Sequence, residues 1–592
     1  MEKVLKRISL LRQLMHENKI KAYMIPSTDP HASEYVADYW KEREWISGFD
    51  GSAGTVVITM DKAALWTDSR YFLQAEEQLK GTGIELMREG LTETPGIITW
   101  IISQLGNNEK VGINAQIISC NAYSSMKEEL KMNNIELVSV DLISKIWTDR
   151  PSLPIDPFYE YDIKFAGKSA TNKINSVRQQ MKQINAEVFL LSALDEIAWL
   201  FNIRGNDVAY NPVVIAYGII ELDRAILFVN PLKVTTKSSK YLQSEGIIVE
   251  PYEEIYSYLK QLAPQQAIWI DGAKLNQSVY EAIPAHCKII NKTSPVIYMK
   301  SIKNETEIAG IKQAMIKDGI ALIRFFKWLE ENVEKNQLTE LSVSEQLHHF
   351  RNEQENFKGE SFETIVGYAS HGAIVHYQPT PETNFSIKPK NLLLIDSGGQ
   401  YLEGTTDITR TISLGNPTNQ QKKDFTLVLK GHIALAQVKF PKGTRGSQID
   451  IMARQFLWEE GINYGHGTGH GVGHFLCVHE GPQNIRMDEN PTTLEPGMII
   501  SNEPGVYRAG EYGIRTENLV LVTFAEKTDF GEFYQFETLS LCPINKSLID
   551  KDMLTGNEMN WLNNYHQKVV NALSPYLKEE ERKWLQQKCQ PL

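Results

Sequence analysis

No run in this chain approaches the roughly 18 consecutive apolar residues that a membrane-crossing helix needs, which argues against a membrane partner. Cysteine is scarce: Cys120, Cys287, Cys477, Cys542 and Cys589 are odd in number and far apart in 592 residues. That excludes a disulfide scaffold and a thiolate cluster, and it fits free thiols in a reducing, cytoplasmic compartment. Positive charge is also short, with 61 Lys and Arg against 73 Asp and Glu and a net charge of -12. A nucleic-acid binder would need a basic face. The N-terminal residues Met1–Arg7 lack the apolar core of a signal peptide. Blocks of disorder-prone composition are absent as well.

What is present is length enough for three or four cores. Val4, Ile8, Leu11, Met15 and Ile20 predict a helix over 3–20. Strands are expected at Ala22–Pro26, Thr55–Thr59 and Ala63–Thr67, around a glycine turn at Gly51–Gly54. From Asn172 a second series runs in the same order: a helix, an apolar strand at Ala186–Leu191, then strands at Pro212–Ala216 and Ala225–Val229. The likeness predicts an internal repeat of α/β domains, divided at the Pro-rich stretch Arg150–Pro157. Near Met299 the pattern changes again. Asn304 and Glu307 form a capping-box pair, and Ile308, Ile311, Met315, Leu322, Phe326 and Leu329 give one helical apolar face. The last stretch, from about 550, reads as helical, with Trp561, Leu562, Val569, Leu573 and Trp584 available for packing and no chemistry of its own.

The chemistry concentrates between Asp396 and Glu517. Asp396 ends the apolar run Leu392–Ile395, and Asp407 follows eleven residues later in a β-branched stretch, so a hairpin can bring the two together. Glu503 follows Met498-Ile499-Ile500, and Glu517 precedes Leu519–Val522. Between them lies Gly465-His466-Gly467-Thr468-Gly469-His470-Gly471-Val472-Gly473-His474, whose alternating glycines allow a backbone to pass close to a ligand. It matches neither phosphate-loop pattern. Four carboxylates in one place raise one another's pKa unless cations neutralise them, and two divalent ions can be bridged by such carboxylates. Oxygen ligands with one nitrogen favour Mn²⁺ over Zn²⁺ or Co²⁺. Seven of the 13 histidines fall between His371 and His479, where an even spread would put about two or three, which supports function. His371, His432 and His474 are read as structural, and His348-His349 as filler on a helix.

Asp396–Tyr401, Thr406–Arg410, His466–Gly473, Val478–Pro482, Asn502–Gly505 and Arg515–Asn518 resemble the metallopeptidases of the creatinase, or pita-bread, fold. Within that family, Ser47–Thr55 looks like the first domain of the three-domain cytosolic aminopeptidases P. The resemblance implies an α/β and α+β multidomain protein. Two related creatinase N-terminal-like domains (1–150 and 151–300) would precede a pita-bread catalytic domain (301–592) with a helical extension from 543. It also implies removal of the N-terminal residue from peptides with proline second. Asp396 would hold one metal, His470 and Glu503 the other, with Asp407 and Glu517 bridging. A hydroxide between the metals would attack the scissile carbonyl, Glu503 would relay protons, and the protein would be a homodimer. His376, His466 and His479 match positions lining the proline pocket, where they would bind the oxyanion and protonate the leaving nitrogen. Arg410 and Arg515 are expected to orient the carboxylates. The rival readings are a prolidase acting on Xaa-Pro dipeptides and a non-catalytic binder of the same fold. The intact ligand set speaks against the second, and against metal-free creatinase.

Overall fold

The computed structural model describes residues 2–335 and 337–592. It divides into two compact units, Met1–Ile163 with Lys168–Ile297, and Lys164–Gly167 with Tyr298–Leu592.

The first unit uses one plan twice. Its first sheet has the strand order Glu85–Arg88, Ala63–Thr67, Thr55–Thr59, Ala22–Pro26, Lys110–Ile113, Glu136–Ser139. The second sheet repeats this as Ile247–Pro251, Ala225–Val229, Ala216–Glu221, Val188–Leu191, Ala267–Ile270, Lys288–Asn291. Both carry the same sequence of parallel and antiparallel pairings. The expected repeat is therefore a repeat of topology.

The helix ends repeat too. The first helix, Glu2–Glu17, stops before the predicted 20 because Lys19 turns to φ 58° and the Ile20 N–H closes back on the Met15 carbonyl at 2.8 Å. In the second repeat Asn185, at φ 56°, and the Ala186 N–H on Met181 at 2.9 Å do the same after Ala170–Gln183. Ser119 and Asn276, which cap equivalent helices, pair in an antiparallel bridge. The Cys120 N–H donates to Leu275 at 2.8 Å and the Gln277 N–H to Ile118 at 2.9 Å, so the two repeats meet through reciprocal bonds.

One predicted strand is displaced. Residues Pro212–Ile215 form no strand; the strand begins at Ala216 and runs to Glu221. The Asp207 carboxylate takes the Ile215 N–H at 2.6 Å, and the Asn211 carbonyl takes that of Val213 at 2.8 Å, which commits the segment to a turn.

In the second unit the helix Glu305–Asn332 opens on the expected capping box of Asn304 and Glu307. A three-stranded antiparallel sheet joins Ile365–Tyr368, Leu392–Ser397 and Ile408–Ser413. A six-stranded sheet has the order Lys439–Pro441, Gly531–Thr538, Asn518–Thr528, Ile499–Asn502, Gly469–Gly471, Glu480–Ile485. The chain ends in the helices Gly556–Leu573 and Glu579–Lys588. Leu562, Val569 and Leu573 are wholly buried in a large apolar cluster of the unit, with Trp561 and Trp584 against it.

His566, on the first of these helices, is fully buried and accepts the Ile544 N–H at Nε2. Burial first, then Lys546 and Arg410, pull its pKa from 6.5 to about 3. A neutral folded imidazole binds fewer protons than the unfolded one once pH falls below 6.5, so stability is lost on acidification through that window. His566→Gln, which does not titrate, should remove on the order of 2 kcal/mol of the loss between pH 7 and pH 5. Thermal midpoints measured against pH should show the mutant curve flatter than the wild type.

Candidate metal centre

Every acidic residue of the Asp396–Glu517 set sits at a strand end. Asp396 is the penultimate residue of Leu392–Ser397 and lies opposite Thr409. Asp407 comes just before Ile408–Ser413, Glu503 just after Ile499–Asn502, and Glu517 just before Asn518–Thr528. The hairpin expected for Asp396 and Asp407 is interrupted by a small excursion, Gly399–Tyr401 paired with Gly404–Thr405. The strands on either side of it remain in register.

One ligand atom each from Asp407, His470 and Glu517 lie within 4.8 Å of one another. His470 Nε2 is 3.4 Å from Asp407 Oδ2 and 3.6 Å from Glu503 Oε1. The Nδ1–H of His470 donates to the Gly471 carbonyl at 2.9 Å. That sets the tautomer and turns the Nε2 lone pair towards the carboxylates, as a metal ligand requires.

Electrostatics show what the site lacks. Burial, then Glu517, push the Glu503 carboxyl up to about 8. Burial holds Asp407 well above the usual carboxylate range, with Asp396 and Glu503 adding to it. Burial, then Asp407 and Asp396, do the same to Glu517. Arg515 brings a guanidinium to this group, its Nη2–H donating to Asp396 Oδ2 at 2.5 Å. One guanidinium cannot balance four carboxylates, and among the described residues no donor reaches the buried Asp396 Oδ1. Oxygen-rich donors with one oriented imidazole fit hard or borderline divalent cations.

The supporting contacts revise several expectations. The Gly-His run forms the strand Gly469–Gly471, and its glycines serve the neighbouring strands. A Cβ on Gly469 would lie 2.0 Å from the Ser501 carbonyl, and one on Gly471 2.4 Å from that of Glu480. A side chain at either would force the sheet apart beneath His470. Gly467 is under no such pressure.

Arg515 reaches a carboxylate directly, as expected, and Arg410 does not. Arg410 grips main chain instead, donating to the Glu517 carbonyl at 2.6 Å and the Cys542 carbonyl at 2.7 Å. It also meets the Tyr565 hydroxyl at 2.8 Å. The C-terminal helix expected to have no chemistry thus braces the Glu517 strand.

Both ring nitrogens of His466 are engaged within the protein. Nδ1–H donates to the Gly467 carbonyl at 2.8 Å, and Nε2 accepts from the Tyr507 hydroxyl at 2.8 Å, which itself accepts from Arg515 Nη1 at 2.6 Å. His466 Nδ1 also lies 3.9 Å from Glu503 Oε2, which places the imidazole beside the carboxylates. His479 packs edge-on against the His470 ring at 4.4 Å. His376 is half-buried, and the Val375 carbonyl beside it accepts from Arg515 Nη2 at 3.4 Å.

Three residues escaped the sequence reading of the site. The Thr409 hydroxyl donates to Glu517 Oε2 at 2.7 Å and accepts from Arg515 Nε at 3.1 Å. Two residues from Asp407, it shares that residue's face. Tyr507, between Arg515 and His466, had no local signal. His432, read as structural, is wholly buried, and its pKa is lowered to about 3 by burial and then Arg410. It donates to the Asn502 carbonyl at 3.1 Å, and Asn518 donates back to it at 3.1 Å. It ties together the residues flanking Glu503 and Glu517, which are cross-strand partners.

Compared with protein families, residues 309–524 match metallopeptidase family M24, and 532–592 match the C-terminal region of peptidase M24. Residues 7–146 and 149–307 each match the creatinase/prolidase N-terminal domain. A probable Xaa-Pro aminopeptidase P of Laccaria bicolor is 42% identical over 99% of this chain and 93% of its own length. Xaa-Pro aminopeptidase 1 of Dictyostelium discoideum is 40% identical over 99% and 96%. Among solved structures, the X-prolyl aminopeptidase of Caenorhabditis elegans, described as a cytosolic enzyme with a di-nuclear active site, superposes with TM-score 0.96. It is 34% identical and covers 100% of both chains.

A carboxyl pushed up to about 8, as that of Glu503 is, holds its proton at pH 7 until a cation displaces it. Titrating metal-free protein with Mn²⁺ at pH 7, in buffers of different ionisation enthalpy, should reveal release of at least about one proton per protein. No proton release, with Mn²⁺ bound, would contradict the raised carboxyl pKa values.

Proposed function

The chain belongs to metallopeptidase family M24, and from that premise we propose that it is a metal-dependent Xaa-Pro aminopeptidase. It releases the first residue of peptides whose second residue is proline. The observation that carries this reading is the convergence of the buried Asp407 and Glu517 and the half-buried Glu503 on one oriented imidazole, with the buried Asp396 coupled to them, in a chain matched along 99% of its length by relatives named for that activity.

In this reading Asp396, Asp407, His470, Glu503 and Glu517 hold two divalent cations, Mn²⁺ preferred over Zn²⁺ or Co²⁺. Bound there, the cations supply an activated water and polarise the scissile carbonyl. The chain's own residues do the rest. Arg515 and Thr409 fix Asp396 and Glu517, so the ligands are set before metal arrives. Glu503, more exposed than Asp407, is the carboxylate placed to pass a proton. The leaving proline nitrogen is part of a tertiary amide without an N–H and must gain a proton to depart. His376 and His479 are the candidates to donate it and to hydrogen-bond the developing oxyanion. His466 keeps the wall of the pocket in place through Tyr507.

The domains are taken as 1–150, 151–300 and 301–592, with the helical extension 543–592. All five cysteines are free, which supports a cytoplasmic setting. A homodimer is the assembly we assign, to be checked by analytical ultracentrifugation.

Chelator-stripped enzyme should be inactive, and Mn²⁺ should restore cleavage of Xaa-Pro-Xaa but not of Xaa-Ala-Xaa. Cleavage of the Xaa-Pro dipeptide alone would make the protein a prolidase, and no cleavage with no metal uptake would make it a binding protein. Asp407→Asn should abolish turnover with the fold kept. His376→Ala should lower turnover by about 10²-fold or more with metal content, read by elemental analysis, unchanged.

A further inference from the structure

His376 lies in a segment, Ala369–Ser386, that has no regular structure after its opening 3-10 turn, Ala369–Ala373. Such a segment owes its shape to side-chain bonds. Four donors in or beside it converge on one group, the carboxylate of Glu340, in the first turn of the 13-residue helix Glu340–Asn352.

Glu340 is wholly buried. Its Oε1 accepts the Tyr368 N–H at 2.9 Å and His371 Nδ1–H at 2.9 Å. Its Oε2 accepts the Phe385 N–H at 2.8 Å and the Tyr377 hydroxyl at 2.8 Å. One carboxylate therefore binds the start, the middle and the end of the segment. The ring of His371 stacks on Phe385 at 3.6 Å and lies 4.3 Å from Tyr377, which closes the loop on itself. The main chain reinforces the junction: the Glu340 N–H donates to Phe385 at 3.2 Å, and the Ile387 N–H to Leu338 at 2.8 Å.

The bond to Tyr377 matters most for chemistry, because Tyr377 directly follows His376. On the other side, the Val375 carbonyl is held by Arg515, which also holds Asp396. His376 is thus bracketed between a neighbour tied to the candidate metal centre and a neighbour tied to Glu340. Resting on the role given to His376 above, we propose that Glu340 is a positioning residue that sets His376 against the scissile bond through Tyr377 and His371. This gives His371 a part in the reaction that its lack of a motif concealed. A charged acceptor is suited to the task, since four donors aim at it. An amide in its place would turn an N–H₂ towards other donors.

The test is a set of double-mutant cycles on the metal-loaded enzyme with an Xaa-Pro-Xaa peptide. Tyr377→Phe removes one hydroxyl, and Glu340→Gln removes the charge. Each should lower kcat by about ten-fold, with KM and metal content unchanged, since misplacement of a reacting group acts on turnover. In a His376→Ala background neither substitution should lower kcat further, because their effect passes through that imidazole. Losses that multiply in the double variants, or loss of metal in either single variant, would show a structural role only and overturn the proposal. Should Glu340→Gln fail to fold, Tyr377→Phe carries the same cycle alone. Failure of the underlying reading looks different: His376→Ala itself would then turn over at the wild-type rate, which overturns both.

Discussion

Four carboxylates gathered around His470 and Arg515, close enough to raise one another's pKa and mostly out of water, are the constraint on which the catalytic unit depends. Left alone they repel, and burial makes the repulsion costly. Strand ends suit such groups. The ladder bonds of each strand fix the backbone, and the side chain at its terminus projects into the centre. The raised carboxyl pKa values, and an Asp396 oxygen that no donor among the described residues reaches, fit a donor set built for cations.

Most of the surrounding structure resists that strain. Arg515 meets Asp396, Thr409, Tyr507 and the Val375 carbonyl with one guanidinium, so a carboxylate, a brace for His466 and the segment carrying His376 share an anchor. Arg410 and His432 act a layer further out, on the main chain at Glu517 and Asn502. Tyr565 extends this support into the C-terminal helices. The glycines of the His470 strand belong to the same design. They let three strands approach closely enough that His470 and Glu503 share one site.

The N-terminal unit shows different economics of burial. Its central strands are apolar on both faces, as strands covered on two sides must be. One buried polar side chain there is bonded at both of its ring nitrogens. His31, wholly buried, gives Nδ1–H to the Ser192 carbonyl and takes the Tyr252 hydroxyl at Nε2, joining the first repeat to the second. Burial lowers its pKa, so it stays neutral and keeps both bonds.

The sequence by itself determined the repeated α/β pattern, the capped helix at Glu305, the strand-end places of the four acids and the resemblance that orders them. Each of these is written in residues close together in the chain, as a period, a cap or a motif. It also misplaced the strand at Pro212–Ala216, because the Asp207 carboxylate that claims Ile215 is eight residues away. Tertiary structure alone decided that Arg410 binds carbonyls, that His466 is spoken for by Tyr507, and that Thr409, His432 and Glu340 belong to the site's support. Those roles rest on hydrogen bonds between residues tens to more than a hundred positions apart, such as Arg410 with Glu517 or Arg515 with Asp396. No local pattern records such a bond, since its geometry exists only once the strands that carry both partners have paired.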